Sequence, residues 1–172
     1  MSIAGPLIPR HRTSKRKERW RPVVLAILSV VAVLFQVYVP LLYTYLSYVE
    51  LPLLFTIHFA LARRSPLAAL AYGAAIGLLQ DAFSSRPLGV YGIVNTLIGF
   101  FAANAGLRMD ADNPAIRFLL SFVFFFIHQG FLLVLTRALL GEATPFDPWT
   151  TAGVGLLNAA VAVPLFQLLD RL

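Results

Sequence analysis

Residues 77–92 read GLLQDAFSSRPLGVYG and stand between two long apolar runs, roughly Leu67–Ala82 and Leu88–Leu107. Each run has the length and composition of a membrane-spanning helix, so the stretch is a tight corner between two such helices. An aspartate closes the first helix, and a carboxylate at a helix C-terminus opposes the macrodipole. Asp81 therefore needs a compensating donor, and three are near in sequence: the Arg86 guanidinium, the Ser84 and Ser85 hydroxyls, or the free amides at the start of the next helix. Pro87 suits the first turn of that helix, and Gly89 permits a close approach or an unusual turn. The corner reads as stiff and hydrogen-bonded.

The rest of the chain supports the membrane reading. With 59% hydrophobic and 13% charged residues over 172 positions, a single water-soluble core cannot hide all the apolar side chains. Six candidate spans follow: Val23–Val39, a second containing LLYTYLSYVELPLLFTIHFALA, Leu67–Ala82, Leu88–Leu107, Arg117–Leu140 and Thr150–Leu169. The second carries Glu50 and Pro52, so it has to begin near Tyr45 or kink at Pro52. The first is read as a retained helix and not a cleaved signal peptide. The fold class is thus all-α, a polytopic integral membrane protein with six transmembrane helices over residues 23–172.

Residues 1–22 form a basic arm. Arg10, Arg12, Lys15, Arg16, Lys17, Arg19 and Arg21 are half of the fourteen Lys and Arg. Such a cluster anchors the N-terminus in the cytoplasm, and it also suits anionic lipid or an acidic partner; nucleic acid is the poorest fit. With that end inside, Arg63, Arg64, Arg108, Arg117 and Arg171 also fall inside, leaving Arg86 and Arg137 outside. The loop 141–149, acidic, proline-rich and ending in Trp149, suits the outer face. Both termini are then cytoplasmic.

Small residues recur every four positions. Ala69, Gly73 and Gly77 lie on one stripe of the third helix, which Asp81 continues; Asn95, Gly99 and Ala103 form a matching stripe on the fourth, and Gly155 with Ala159 on the sixth. These stripes allow close backbone approach, within the protein or to a partner helix, and predict a tight cluster of the three helices. Polar residues inside spans should face inward, which applies to Asn95, His128, Gln129 and Asn158. Glu50, Asp81 and His128 are the groups able to ionise there, and their positions along the spans suggest different depths. Interhelical hydrogen bonding accounts for such residues, and a substrate pocket or proton path would require several ionisable groups to converge.

Catalytic chemistry finds little support. There is no cysteine, no His/Glu cluster at metal-ligand spacing, no Gly-x-Ser-x-Gly and no phosphate loop. Asp110 and Asp112 more often cap a helix and balance Arg108 and Arg117 than bind a metal. No cofactor is expected.

The order Leu51-Pro52, Arg63-Arg64, Gly73, Gly77-Leu-Leu-Gln-Asp81, Pro87-Leu-Gly89-Val-Tyr91 and Asn95-Thr-Leu-Ile-Gly99 resembles the MreD family of bacterial rod shape-determining membrane proteins. The likeness extends over most of the chain, its specific part being residues 51–106; the long basic arm departs from it. The resemblance implies a non-enzymatic subunit of the elongasome in the inner membrane. Such a subunit binds the bitopic protein MreC and helps couple MreB filaments to the peptidoglycan synthase formed by RodA and a penicillin-binding protein. The family is also similar in fold to the six-helix substrate-binding subunits of energy-coupling-factor vitamin transporters, which makes a small-solute transporter subunit the alternative. On the first reading, the helix stripes hold MreC's membrane helix and the corner Gly73, Gly77, Asp81, Arg86, Pro87, Gly89, Tyr91 and Asn95 shapes the binding surface.

Overall fold

A computed structural model describes residues 15–39, 44–84, 87–141 and 146–171, and the helices within them are α1 (Lys15–Tyr38), α2 (Leu51–Arg63), α3 (Pro66–Phe83), α4 (Val90–Arg108), α5 (Pro114–Leu140) and α6 (Pro148–Arg171). A short 3-10 segment, Thr44–Tyr48, precedes α2. Four helices, α3 to α6, are long and apolar enough to cross a membrane. The apolar part of α1, Val23–Tyr38, is shorter. Helix α1 starts at Lys15, so it runs on into the basic segment without a break at residue 22.

Proline marks the helix starts, because the first turn has no internal acceptor for its N–H groups. Pro52, Pro66 and Pro114 occupy the first turns of α2, α3 and α5. Pro52 thus neither kinks a longer helix nor sits inside one: α2 begins at Leu51, and the expected start near Tyr45 is replaced by the 3-10 segment. Arg64 ends α2 in the left-handed region, φ 51°, with its N–H on the Ala60 carbonyl at 3.0 Å. Asn113 caps α5 by accepting the Ala115 N–H at 2.9 Å, a role the sequence had suggested for the neighbouring aspartates.

The shortest helix is the central one. From Pro52 to Leu61 every residue of α2 except Phe59 is buried. An α-helix that is apolar on all sides has no solvent face and belongs in the interior, and LPLLFTIHFALA is such a sequence. Leu53, Leu54 and Ile57 of α2 meet Val94, Ile98 and Ala102 of α4, Phe124 and Phe125 of α5, and Ala162 and Phe166 of α6 in one core. Helix α1 lies along α2 and α3. There Ala32 packs with Phe55 and Leu169, and the Ser29 hydroxyl bonds the Tyr72 hydroxyl. Large apolar side chains such as Ile27, Leu78, Ile93, Leu119, Val134 and Leu168 point outward from different helices, the surface a bilayer would cover.

The tightest contact is between α3 and α4. A Cβ placed on Gly73 would lie 2.1 Å from the Asn95 carbonyl oxygen, one on Gly77 2.2 Å from that of Tyr91, and one on Gly99 2.3 Å from that of Ala69. The stripes of the third and fourth helices therefore face each other backbone to backbone. The sixth helix does not join them: Gly155 meets the rings of Phe122, Phe125 and Phe126 on α5. A three-helix cluster of small residues is thereby replaced by one close pair, with aromatic side chains filling the space beside α6.

Candidate functional site

The α3–α4 corner is organised by one carboxylate. Helix α3 continues two residues past Asp81 to Phe83, so the side chain of Asp81 reaches the open N-terminus of α4. Its Oδ2 accepts the N–H groups of Gly89 and Gly92, each at 2.9 Å, and its Oδ1 that of Tyr91 at 3.0 Å. These are amides with no intrahelical partner, and a carboxylate there is favoured by the α4 dipole. The unfavourable position at the end of α3 is outweighed by a favourable one at the start of α4. Of the donors the sequence offered, the free amides are the ones used. Ser84 instead donates to the Asp81 backbone carbonyl at 3.2 Å, while Ser85 and Arg86 lie outside the described residues. Asp81 is 2% exposed, which makes its three bonds count in full.

Gly89 caps α4 with φ 104°, a backbone conformation that side chains disfavour. Pro87 is exposed and precedes the helix, so it does not occupy the first turn. Asn95 is fully buried one turn beyond Tyr91, and its amide donates to Gln80 Oε1 at 3.4 Å.

A second polar centre surrounds the N-terminus of α2. Gln129 Nε2 donates to Glu50 Oε1 at 2.7 Å, and His128 Nδ1 lies 3.0 Å from Glu50 Oε2. That second pair is close but off the hydrogen-bonding direction, so it is an ionic or dipolar contact and not an aligned bond. Asn158 of α6 accepts the Glu50 N–H at 2.8 Å and donates to the Tyr48 carbonyl at 2.7 Å and the Val154 carbonyl at 2.9 Å. Gln36 of α1 accepts the Leu51 N–H at 3.3 Å and donates to the Ser47 carbonyl at the same distance. Side chains from α1 and α6 thus satisfy backbone N–H groups at the start of a short helix buried in apolar surroundings, while α5 holds the Glu50 carboxylate.

Glu50 and His128 were expected at different depths, and here they are in contact. The reason is that α2 starts only at Leu51, which places Glu50 deeper in the bundle than a longer second span would. The Tyr91 ring stacks 6.3 Å from the His128 ring, while its backbone bonds Asp81, so the corner and the α2 centre are linked through one residue.

Sequence reasoning missed a third group at the opposite end of α2. His58 Nε2 is 3.0 Å from Asp170 Oδ1, and Arg117 Nη1 is 2.6 Å from Asp170 Oδ2. Arg117 also donates through Nε to the Ala111 carbonyl at 2.6 Å, and its Nη2 stands 3.7 Å from Asp112. No local spacing announces this group, since its members come from α2, the α4–α5 loop, α5 and α6. The one usable signal was an imidazole in an otherwise apolar helix.

At the start of α6, Asp147 accepts from the Trp149 N–H at 3.2 Å, the Thr150 N–H at 3.3 Å and the Thr150 hydroxyl. The Thr150 hydroxyl, with the two amides, holds its carboxyl below the ordinary value of 3.8. A lowered folded value means that the cap is complete above the unfolded value and is lost as pH falls through the folded one. Asp147→Asn is expected to speed hydrogen exchange of the 149–151 amides at neutral pH. Wild-type exchange protection that is unchanged between pH 6 and pH 2, after correction for intrinsic rates, would contradict the cap.

Among the described residues there is no group of three or more metal-ligating side chains. The fold and its centres define an all-helical membrane protein, held by a glycine-lined helix pair and buried polar clamps. The chain belongs to the family of the rod shape-determining protein MreD, whose family model matches residues 16–172. No curated protein and no solved structure gives a significant match. The family is one of shape-determining structural proteins, which ties the chain to the shape system of rod cells.

Proposed function

We propose that the protein is a non-enzymatic scaffold of the elongasome that holds the membrane helix of an MreC-like bitopic partner. Through that partner it helps couple MreB filaments to the RodA and penicillin-binding-protein synthase. Helices α1 and α2 complete six spans in the inner membrane, in an arrangement similar to the substrate-binding subunits of energy-coupling-factor transporters. Helix α2 measures roughly 20 Å at 1.5 Å per residue, and its 3-10 segment adds about 10 Å, enough together to cross a thin core. Both termini are cytoplasmic, since Arg63, Arg64, Arg108, Arg117 and Arg171 then share the inner side.

The observation that carries the reading is an open apolar groove of about 260 Å³ on the outer face of the α3–α4 pair, lined by Ala74, Leu78, Gly89, Gly92, Ile93, Thr96 and Leu97. Gly73 and Gly77 cannot receive a partner, because α4 fills their face. The groove beside them is bordered by the half-buried small residues Ala74 and Gly89, with the buried Gly92 at its base, and small-residue grooves are where membrane helices approach closely. The polar centres favour a scaffold over a solute-binding subunit: Asn158, Gln129 and Asp81 spend their hydrogen-bonding capacity on the protein itself.

Ala74→Leu fills this groove, and Ala71→Leu adds the same side chain at an exposed position of the same helix. Co-purification with MreC is expected to drop about tenfold for the first, corresponding to ~1.4 kcal/mol of lost packing, and to stay unchanged for the second. Equal recovery of MreC with both variants would sink the proposal.

A further inference from the structure

At the end of the bundle where α2 stops, a cavity of about 490 Å³ opens between α2, the α4–α5 loop and the C-terminal part of α6. Two guanidinium groups, Arg64 and Arg117, and two carboxylates, Asp112 and Asp170, line it. The carboxylates are held very differently. Asp170 is fixed: its Oδ2 accepts from Arg117 Nη1 at 2.6 Å, and its Oδ1 is 3.0 Å from His58 Nε2. Asp112 is loose. Its side chain is 82% exposed, and its two oxygens stand 3.7 Å from Arg117 Nη2 and 3.7 Å from Arg64 Nη2, beyond hydrogen-bond length.

One weakly held carboxylate therefore stands between two guanidinium groups that come from different elements, and its place marks where an oxyanion meets both. Both have donors to spare. Arg117 uses Nε on the Ala111 carbonyl and Nη1 on Asp170, while its Nη2 makes no hydrogen bond among the described residues. The Arg64 side chain is 46% exposed and makes none among them either. Phosphate oxygens are spaced comparably to those of a carboxylate, so a phosphate in the place of Asp112 faces the same two Nη2 groups. Free of any tether to the loop, it can close to the about 2.7–2.9 Å of charge-assisted bonds. Exposed ion pairs contribute little, so moving Asp112 aside costs little.

Charge selects the kind of phosphate. With Asp112 turned out to water, Arg64 and Arg117 against Asp170 leave one positive charge, which a phosphodiester monoanion balances and a dianionic monoester exceeds. The surroundings attract anions to this end. Gln36 accepts the Leu51 N–H and Ala32 packs on Phe55, so α1 runs antiparallel to α2. Its N-terminal segment, with Lys15, Arg16, Lys17, Arg19 and Arg21, thus lies toward the end of α2 that carries Arg64.

We propose that Arg64 and Arg117 form a phosphodiester site in which Asp112 is a tethered competitor. The phosphate belongs to an anionic phospholipid of the adjoining leaflet or to a soluble diester. Only the leaflet rests on the membrane arrangement proposed above; the site rests on the cavity.

Native mass spectrometry of the full-length protein, released from micelles containing phosphatidylglycerol or phosphatidylcholine, tests this. Phosphatidylglycerol is expected to be retained about tenfold over phosphatidylcholine, whose cationic head adds charge beside Arg64; this is the size of one charge-assisted hydrogen bond. Arg64→Gln should abolish the preference. Asp112→Asn should raise phosphatidylglycerol retention about threefold, because the competitor loses its charge. Misfolding cannot mimic these opposite changes. Excess glycerophosphoglycerol separates the sources: displacement shows that a soluble diester suffices, and retention assigns the site to the lipid. Equal retention of the two lipids by the wild type, a preference that survives Arg64→Gln, or Asp112→Asn binding no better than wild type would each overturn the assignment. MreC recovery with both variants should stay at the wild-type level, so this test and that of the scaffold reading fail independently.

Discussion

Gly77→Leu is expected to prevent accumulation of folded protein, and Gly73→Leu to do the same. At both positions the atom a new Cβ would strike is backbone: the Tyr91 carbonyl oxygen at 2.2 Å and the Asn95 carbonyl oxygen at 2.1 Å. Neither contact can be relieved by rotating a side chain, so α3 and α4 must separate by more than an ångström along their whole seam. That separation lengthens the three bonds from Asp81 to the start of α4 and opens the core around Val94 and Ile98. Overpacking alone costs about 1–3 kcal/mol, and the lost cap adds to it. Gly153→Leu is the control, since a Cβ there meets nothing. Monodisperse yield by fluorescence-detected size exclusion reads the outcome; a normal Gly77→Leu peak would show that the two helices do not meet as described.

The second large effect is predicted for Asp81→Ala. It strands three amides in a site that is almost closed to water, and each unmet buried donor costs about 1–3 kcal/mol. Allowing for partial relaxation, the loss is roughly 3–6 kcal/mol. Asp81→Asn keeps the size but turns an amide nitrogen toward donors that need acceptors, so it is expected to fall between alanine and wild type. The same ordering should appear in recovery of MreC, because the corner fixes the α3–α4 face that forms the groove. Thermal unfolding in detergent distinguishes the cases. An Asp81→Ala midpoint within about 2 °C of wild type would remove the carboxylate from its organising role.

Much of this was written in local pattern. The helices of the α3–α4 hairpin are marked by apolar length, by Pro66 at the entrance of α3 and by Gly89 before α4, and the four-residue recurrence of Gly73 and Gly77 identifies the face that takes another backbone. The acceptor role of Asp81 was legible too, though not which donors it meets. Helix α2 was harder to read. Its apolar stretch is short for a span and contains a proline, and the length pointed to an earlier start; burial on all sides is what allows a 13-residue helix to stand at the centre.

The sequence by itself determined an all-helical membrane chain, the tight α3–α4 corner and the inward facing of Asn95, His128 and Asn158, because helical periodicity and the cost of polar groups in apolar surroundings act within a few residues. The tertiary structure decided the rest. It brings Gln129 to Glu50 across 79 positions, Asn158 to Glu50 across 108, and Asp170 to His58 across 112. Those partners share no local register, and only the packing of α1, α5 and α6 around a short central helix makes them neighbours.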